Sequence, residues 1–436
     1  MKSRSIFEMD LYIATAAISL AVIGILFVYS SGVTATGQVM SREYVRQIVW
    51  AVSGLGLLVF MNFLDYRYLR RPAFFIYGAV IALLVLTLLV GNVVNGARSW
   101  IGIGPFGVQP SEFGKVALVL ALARYYSDRS ERAKSVLGFV GALGLTLVPT
   151  ALILLQPDLG SALVYFPIFL FVSFTAGVRG RDLGFFLGLG VLTILFTVLP
   201  VWDQYLSNRS NPLFDVFRVA SAVRLLSIGL IAAIVVAGIG LWVTRNRVFF
   251  WIVYLLAMVV FAVPLAYAAR TVLQEYQIMR LIVFLDPYVD PRGAGWNIIQ
   301  SITAVGSGGL YGKGFLQGTQ SHYQYLPQQS TDFIFSILAE EWGFAGVIVL
   351  FALFGVIMFR GVYIVASARD RFAAVTGAGL VGMFFFHFVV NVGMAVGIMP
   401  ITGIPLYLVS YGGSSLWTAL LAIGILMSIY QHRYQY

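Results

Sequence analysis

The chain has 436 residues, of which 60% are hydrophobic and 11% charged, with a formal net charge of +10 and a mean hydropathy of +0.89. These values exclude a soluble globular protein and indicate a polytopic membrane protein. The absence of cysteine excludes thiol catalysis, disulfides and thiolate metal sites, and the three histidines (His322, His387, His432) have no metal-ligand spacing.

In chain order, apolar runs fall at 11–31, 47–64, 74–91, 113–126, 136–155, 161–177, 184–201, 226–244, 249–268, 333–358, 373–397 and 415–431. At ~20 apolar residues per crossing they predict an all-α protein of about twelve transmembrane helices. The opening MKSRSIFEMD is short and basic and lacks a small-residue cleavage site, so 11–31 reads as a retained first helix. Basic residues recur in alternate loops: Arg67/Arg70/Arg71, Arg129/Arg132/Lys134, Arg179/Arg181, Arg245/Arg247 and Arg369/Arg371. That pattern predicts cytoplasmic N- and C-termini and explains the net charge without nucleic acid. The opposite loops are 92–112, 156–160, 202–225, 269–332 and 398–414. Segment 202–225 reads as partly amphipathic and interfacial. No soluble domain or internal repeat stands out, so 1–436 reads as one membrane domain.

Candidate chemistry concentrates in those opposite loops. The segment Asp286–Asp332 carries Pro287, Pro291 and eight glycines between Gly293 and Gly318. Its backbone cannot face lipid unsatisfied, so it sits in water or lines a cavity. Asp286 and Asp290 read either as solvated partners of Arg280 or Arg292 or as a general base. In Gln109-Pro-Ser-Glu112-Phe-Gly-Lys115, Pro110 and Ser111 start a helix and Glu112 can pair with Lys115 at i, i+3. This is either a capped helix at the membrane boundary or a charged cavity mouth. Gln156-Pro-Asp158-Leu-Gly160 is a tight turn. Glu340 and Glu341 interrupt an apolar run, where an ionised carboxylate costs ~2.5–3.5 kcal/mol, so at least one faces the interior. His387 and Asn391 share a helix face and read as interhelical hydrogen-bond formers. The stretch from Asn391 through Pro400, Gly403, Pro405 and Ser410 to Ser415 reads as a re-entrant turn.

Together these motifs resemble the SEDS family (shape, elongation, division, sporulation) of bacterial membrane glycosyltransferases, over most of the chain. The carriers are QPSE–K at 109–115, QPDLG at 156–160, DPxGAG at 290–295 with Gln300-Ser301, and Asn391 to Ser414 ending SYGGS. GSGGLYGKG at 306–314 and GTQS at 318–321 are similar to the RodA (elongation) branch. The resemblance implies polymerisation of lipid II into glycan strands outside the cytoplasmic membrane, with the essential aspartate at Asp290. It implies Glu112, Lys115, Asp158 and Glu340 in the cavity wall, with Gln109, Gln300 and Ser410 supplied by the matching motifs. The leaving pyrophosphate calls for cations, Lys115 first, then Arg46, Arg98 and Arg292. A divalent ion, Mg or Mn, is the one cofactor this chemistry has use for. The implied partners are a class B penicillin-binding protein, the cell-elongation machinery and membrane lipid.

The chain departs from the family twice. The family has ten spans, and the surplus lies between 184 and 268, giving an inserted hairpin near 202–248. Gln328, Gln329 and Ser330 stand where the family often has Glu and His, so no role of those residues transfers. Two other readings compete: a lipid II flippase, with Glu340 and Glu341 on a translocation path, and a non-enzymatic scaffold.

Overall fold

The computed structural model describes residues 9–433 apart from 95, 104–105, 207–213, 215–216, 218, 273–274 and 294. Residues 1–8 and 434–436, with 207–213, 215–216 and 218 of the 202–225 segment, lie outside the described residues.

Ten helices are long and apolar enough to cross a membrane. They are α1 (Leu11–Ser31), α2 (Glu43–Phe63), α3 (Ala73–Val90), α5 (Val136–Leu155), α7 (Gly180–Leu206), α8 (Ala220–Thr244), α9 (Arg247–Val272), α12 (Ile334–Ala366), α13 (Arg371–Ala395) and α14 (Gly413–Gln431). Two more apolar runs form α4 (Pro110–Asp128) and α6 (Leu159–Thr175). The first carries too much charge and the second is too short to meet the same test. Every apolar run read from the sequence is therefore a helix.

Two compact units are present: one of Met1–Val178 with Gln300–Tyr436, the other of Arg179–Ile299. In the first, α4, α13 and α14 are buried along most of their length. Helix α13 packs on α4, α6 and α12, and α14 packs on α2. In the second, α9 packs against both α7 and α8, and among its described residues α8 buries only Val223 and Ala237.

The sequence reading contained no strands and treated 269–332 as a loop. Between α3 and α4 the chain forms a small antiparallel sheet, β1 (Asn92–Val94), β2 (Ala97–Ile103) and β3 (Phe106–Val108), in the order β1-β2-β3. Strands this short give no alternating pattern to detect. Segment 269–332 instead contains α10 (Glu275–Leu285), α11 (Trp296–Ser307) and a one-turn helix Thr319–His322.

Helix α12 is interrupted at Gly343, which has φ 64° and ψ −161°. The glycine-rich segment 308–314 repairs the break. Lys313 and Gly314 donate backbone N–H groups to the carbonyls of Glu340 and Glu341, at 3.0 Å each. Phe344 and Ala345 donate theirs to Gly309 and Leu310, at 2.9 and 3.0 Å. A Cβ on Gly308, Gly312 or Gly343 would overlap the backbone on the other side of this contact. The glycines are what lets two main chains meet this closely.

Candidate functional site

The deepest charges form one closed cluster. Proline at N1 starts α4, and Glu112 in its first turn suits the helix dipole. Lys115 lies one turn on, at 1% exposure. Its Nζ donates to Glu112 Oε1 at 2.5 Å, to His387 Nε2 at 3.1 Å and to the Tyr407 hydroxyl at 3.3 Å. Tyr407 in turn donates to Glu112 Oε2 at 2.9 Å. His387 Nδ1 lies 2.9 Å from the Pro405 carbonyl, which fixes the proton on Nδ1 and leaves Nε2 as the acceptor. The His387 and Tyr407 rings stack at 3.6 Å. An ammonium has three protons, and all three are donated inside this cluster. Burial pushes the Tyr407 hydroxyl well above its ordinary pKa, so it remains a donor.

Around it the segment 396–412 is pinned from several sides. Ser410 Oγ donates to the Thr331 carbonyl at 2.6 Å and accepts from Leu406 N at 2.8 Å. Gln47 Nε2 donates to the Ser410 carbonyl at 3.1 Å. Asn391 Nδ2 donates to the carbonyls of Asp332 and Ile404. Gly24 and Gly160 have no room for a Cβ, because backbone of 402–409 lies against each.

Asp158 caps α6, accepting from Ser161 N at 3.0 Å and from Ser161 Oγ at 2.8 Å. Gln109 Nε2 donates to Asp158 Oδ2, the oxygen that also accepts from Ser161 Oγ, at 2.8 Å, and Gln109 N donates to Ser414 Oγ at 2.9 Å. Burial raises the Asp158 carboxyl above its ordinary value, opposed by the Ser161 hydrogen bonds.

Glu340 and Glu341 are both at 0% exposure and staple the glycine-rich segment to α12. Glu340 Oε1 accepts from Lys313 Nζ at 2.7 Å and from Thr319 N at 2.8 Å. Glu341 accepts from Ser30 Oγ at 2.5 Å and from Leu316 N at 3.2 Å.

Asp290 has a different setting. It follows the short turn Pro287–Val289, whose first N–H is capped by Asp286 Oδ1 at 2.9 Å. Asp290 is half-buried, and its Oδ1 accepts from Gly293 N at 3.0 Å while its carbonyl accepts from Gly295 N at 3.0 Å. A Cβ on Gly293 would overlap the Asp290 carboxylate, and one on Gly295 would overlap the Pro287 carbonyl. Gly293 is thus the space that the carboxylate occupies, and Gly295 lets the turn close on its own backbone.

Of the other sequence-predicted residues, Arg46, Arg98 and Arg292 are exposed and Gln300 is half-buried on α11. Arg46 hydrogen-bonds Tyr411, and the Arg98 guanidinium donates to the Leu88 carbonyl at 3.3 Å. Glu112, Lys115 and the Gln109–Asp158 pair therefore occupy one unit and Asp290 and Arg292 the other. Tyr407 and Lys313 escaped the sequence reading. Tyr407 sits in a Pro/Gly-interrupted stretch with no period, and Lys313 gave no sign of its glutamate partner. Among the described residues no group of three or more His, Asp or Glu side chains is arranged to hold a metal.

Comparison with known proteins fits this architecture. The profile of a family described as cell cycle protein, covering FtsW, RodA and SpoVE, matches residues 10–227 and 201–435. The chain is 48% identical to "Peptidoglycan glycosyltransferase RodA" of Treponema pallidum, over 98% of this chain and 99% of that one. It is 34% identical to "Peptidoglycan glycosyltransferase MrdB" of Escherichia coli, over 94% and 91%. Among solved structures, it is similar to a chain from work on coordinated polymerization and crosslinking by a peptidoglycan synthase complex. That match has a TM-score of 0.67 and 30% identity and covers 98% and 99% of the two chains. The crystal structure of the Thermus thermophilus rod shape determining protein RodA matches with TM-score 0.60 and 26% identity, over 98% of each chain.

Proposed function

The chain belongs to the FtsW, RodA and SpoVE family of membrane proteins, and from that premise we propose that it is a peptidoglycan glycosyltransferase of cell elongation, polymerising lipid II. Its relatives carry that activity in their names over nearly the full length. The reaction takes place at the outer face of the cytoplasmic membrane, with both chain termini inside, in keeping with the basic alternate loops.

Asp290 is the general base. The acceptor 4-hydroxyl attacks the anomeric carbon of the donor and gives its proton to the Asp290 carboxylate. The bond from that carbon to pyrophosphate breaks, the polyprenyl diphosphate leaves, and the new linkage is inverted. The observation that carries this assignment is the turn at 290–295, where Gly293 leaves room for a half-buried carboxylate that accepts from its backbone N–H. A positioned base of this kind contributes ~10²–10⁴ in rate.

The enclosed cluster has a supporting task. With all three Lys115 protons engaged, the charge on the leaving pyrophosphate falls to an exposed cation, Arg292 in the unit that holds Asp290. Lys115 and Glu112 hold the 396–412 segment through Tyr407 and His387. Ser410 holds the same segment and Gln109, bonded to Asp158, holds Ser414 just beyond it, Gln300 on α11 is a further candidate for substrate contact, and Glu340 fixes the glycine-rich segment. Mg or Mn, if bound, would add positive charge opposite the pyrophosphate; among the described residues no group of three or more His, Asp or Glu side chains is arranged to hold it. Residues 1–436 act as one catalytic domain, with 269–332 carrying the base and 202–248 as the inserted hairpin. A class B penicillin-binding protein of the elongation machinery receives the strands. A flippase would need Glu340 and Glu341 on an open path, and both are enclosed by donors from 30 and 313–320.

The test is glycan polymerisation from purified lipid II, with and without the partner and divalent ions. Polymer from the wild type is expected. Scrambling of labelled lipid in vesicles, with no polymer under any of these conditions, would overturn the assignment.

A further inference from the structure

We propose that a groove on α12, away from all the polar clusters above, is a binding site for one anionic phospholipid. The groove has a volume of about 540 Å³ and is lined by Ile348, Phe351, Gly355 and Phe359, with Tyr12 of α1 and Arg360 at one end. Ile348, Phe351 and Phe359 are exposed. From Ile348 to Arg360 is twelve residues, about 18 Å at the helical rise. One leaflet of hydrocarbon is about 15 Å deep. The groove is therefore one lipid tail long, too short for an extended polyprenyl chain.

The end of the groove supplies the charge. Arg360 is the one charged residue in its lining. It forks onto Asp10 at 2.6 and 2.9 Å. The Asp10 side chain is at 0% exposure while that of Arg360 is at 24%, so the charge open to the surroundings is cationic. Tyr12, Tyr363 and Tyr430 surround the guanidinium at 4.8–5.3 Å. A guanidinium held between a buried carboxylate and aromatic faces is fixed in place and suited to a lipid phosphate. Clusters of basic residues beside a membrane helix attract anionic lipid by the same electrostatics.

Gly355 gives a clean test, because a Cβ there would meet only the Phe359 ring, at 3.9 Å. Leucine at 355 fills the groove without straining the helix. The full-length protein in detergent is titrated with phosphatidylglycerol, phosphatidylcholine and undecaprenyl phosphate, and bound lipid is counted by native mass spectrometry. Wild type is expected to retain one phosphatidylglycerol at least about tenfold more tightly than phosphatidylcholine. Gly355→Leu is expected to lose that preference. The paired variant Asp10→Asn/Arg360→Gln, which leaves no lone buried charge, is expected to retain a lipid tail without the anionic preference. Equal binding by Gly355→Leu and wild type, equal binding of the two phospholipids, or tighter binding of undecaprenyl phosphate would each overturn the proposal.

Discussion

Two sets of charges in this molecule are built on opposite terms. In the Glu112–Lys115–His387–Tyr407 cluster every donor has an acceptor, and no member is more than 2% exposed. In the turn at Asp290 the carboxylate is half-buried and accepts from the backbone N–H of Gly293. A closed cluster returns its interaction energy to the fold, because breaking it strands a charge in low dielectric. A partly open carboxylate contributes less to the fold and is accessible to a substrate hydroxyl. The comparison makes a sharp demand: substitutions at the first should register mainly in stability, and at the second mainly in rate.

The largest effect is expected at Asp290. Asp290→Asn keeps an oxygen for the Gly293 N–H, so the turn should survive. Polymerisation should fall by ~10²–10⁴ with the melting temperature unchanged. Normal polymer from this variant would remove Asp290 as the base. Lys115→Met is the converse. It leaves Glu112 buried with only the Tyr407 hydroxyl, at an expected cost of about 3–5 kcal/mol. The double change Lys115→Met/Glu112→Met should be milder than Lys115→Met alone, because no charge is stranded. If chemical unfolding in detergent finds the single change harmless, the cluster is not holding the fold.

Gly293→Ala sharpens the comparison from inside the turn. The new methyl group displaces the Asp290 carboxylate, and a shift of about 1 Å in a catalytic group can lower the rate as much as a hundredfold. The expected signature is a lower kcat at constant KM. A change in KM alone would point to substrate binding in place of base positioning. Glu340→Ala is weaker still as a test of the stapled segment. It removes the acceptor of Thr319 N and Gln320 N, with an expected cost of about 1–3 kcal/mol. Faster amide exchange confined to 313–320 would be its local mark.

How much of this could be read in advance follows from the physics of each part. The helices were legible because a crossing needs about twenty apolar residues in a row, and α8 and α9 declared themselves that way. The Glu112–Lys115 pair was legible at i, i+3 spacing on one helix. Its other half was not, since Tyr407 reaches Glu112 across 295 positions of sequence. The Gly343 break was equally hidden, because a glycine in an apolar run gives no sign that segment 308–314 will dock against it. The motif glycines at 293 and 295 stood out as a pattern. That Gly293 is the space beside a carboxylate, and Gly295 the space against the Pro287 carbonyl, is visible only in three dimensions.

The smallest effect is expected at Asp158, and it lies between the two extremes. Its carboxyl is half-buried, and burial raises its folded pKa above the unfolded value. The sign follows from linkage. The folded state binds the proton more tightly, so this group favours folding most below its unfolded pKa, and that contribution is lost as pH rises through the raised folded value. At neutral pH the ionised carboxylate therefore carries a desolvation cost that an amide would not. Asp158→Asn retains an oxygen for Ser161 N, and Gln109 can rotate its amide to accept from the new NH₂ group. Stability at pH 7 should change by less than about 1 kcal/mol, while the pH dependence of stability from just above the ordinary aspartate range upward should flatten. A large loss at neutral pH would mean that the ionised form, hydrogen-bonded by Ser161 and Gln109, is required. Asp158 would then belong with the enclosed cluster, as a charge the fold depends on.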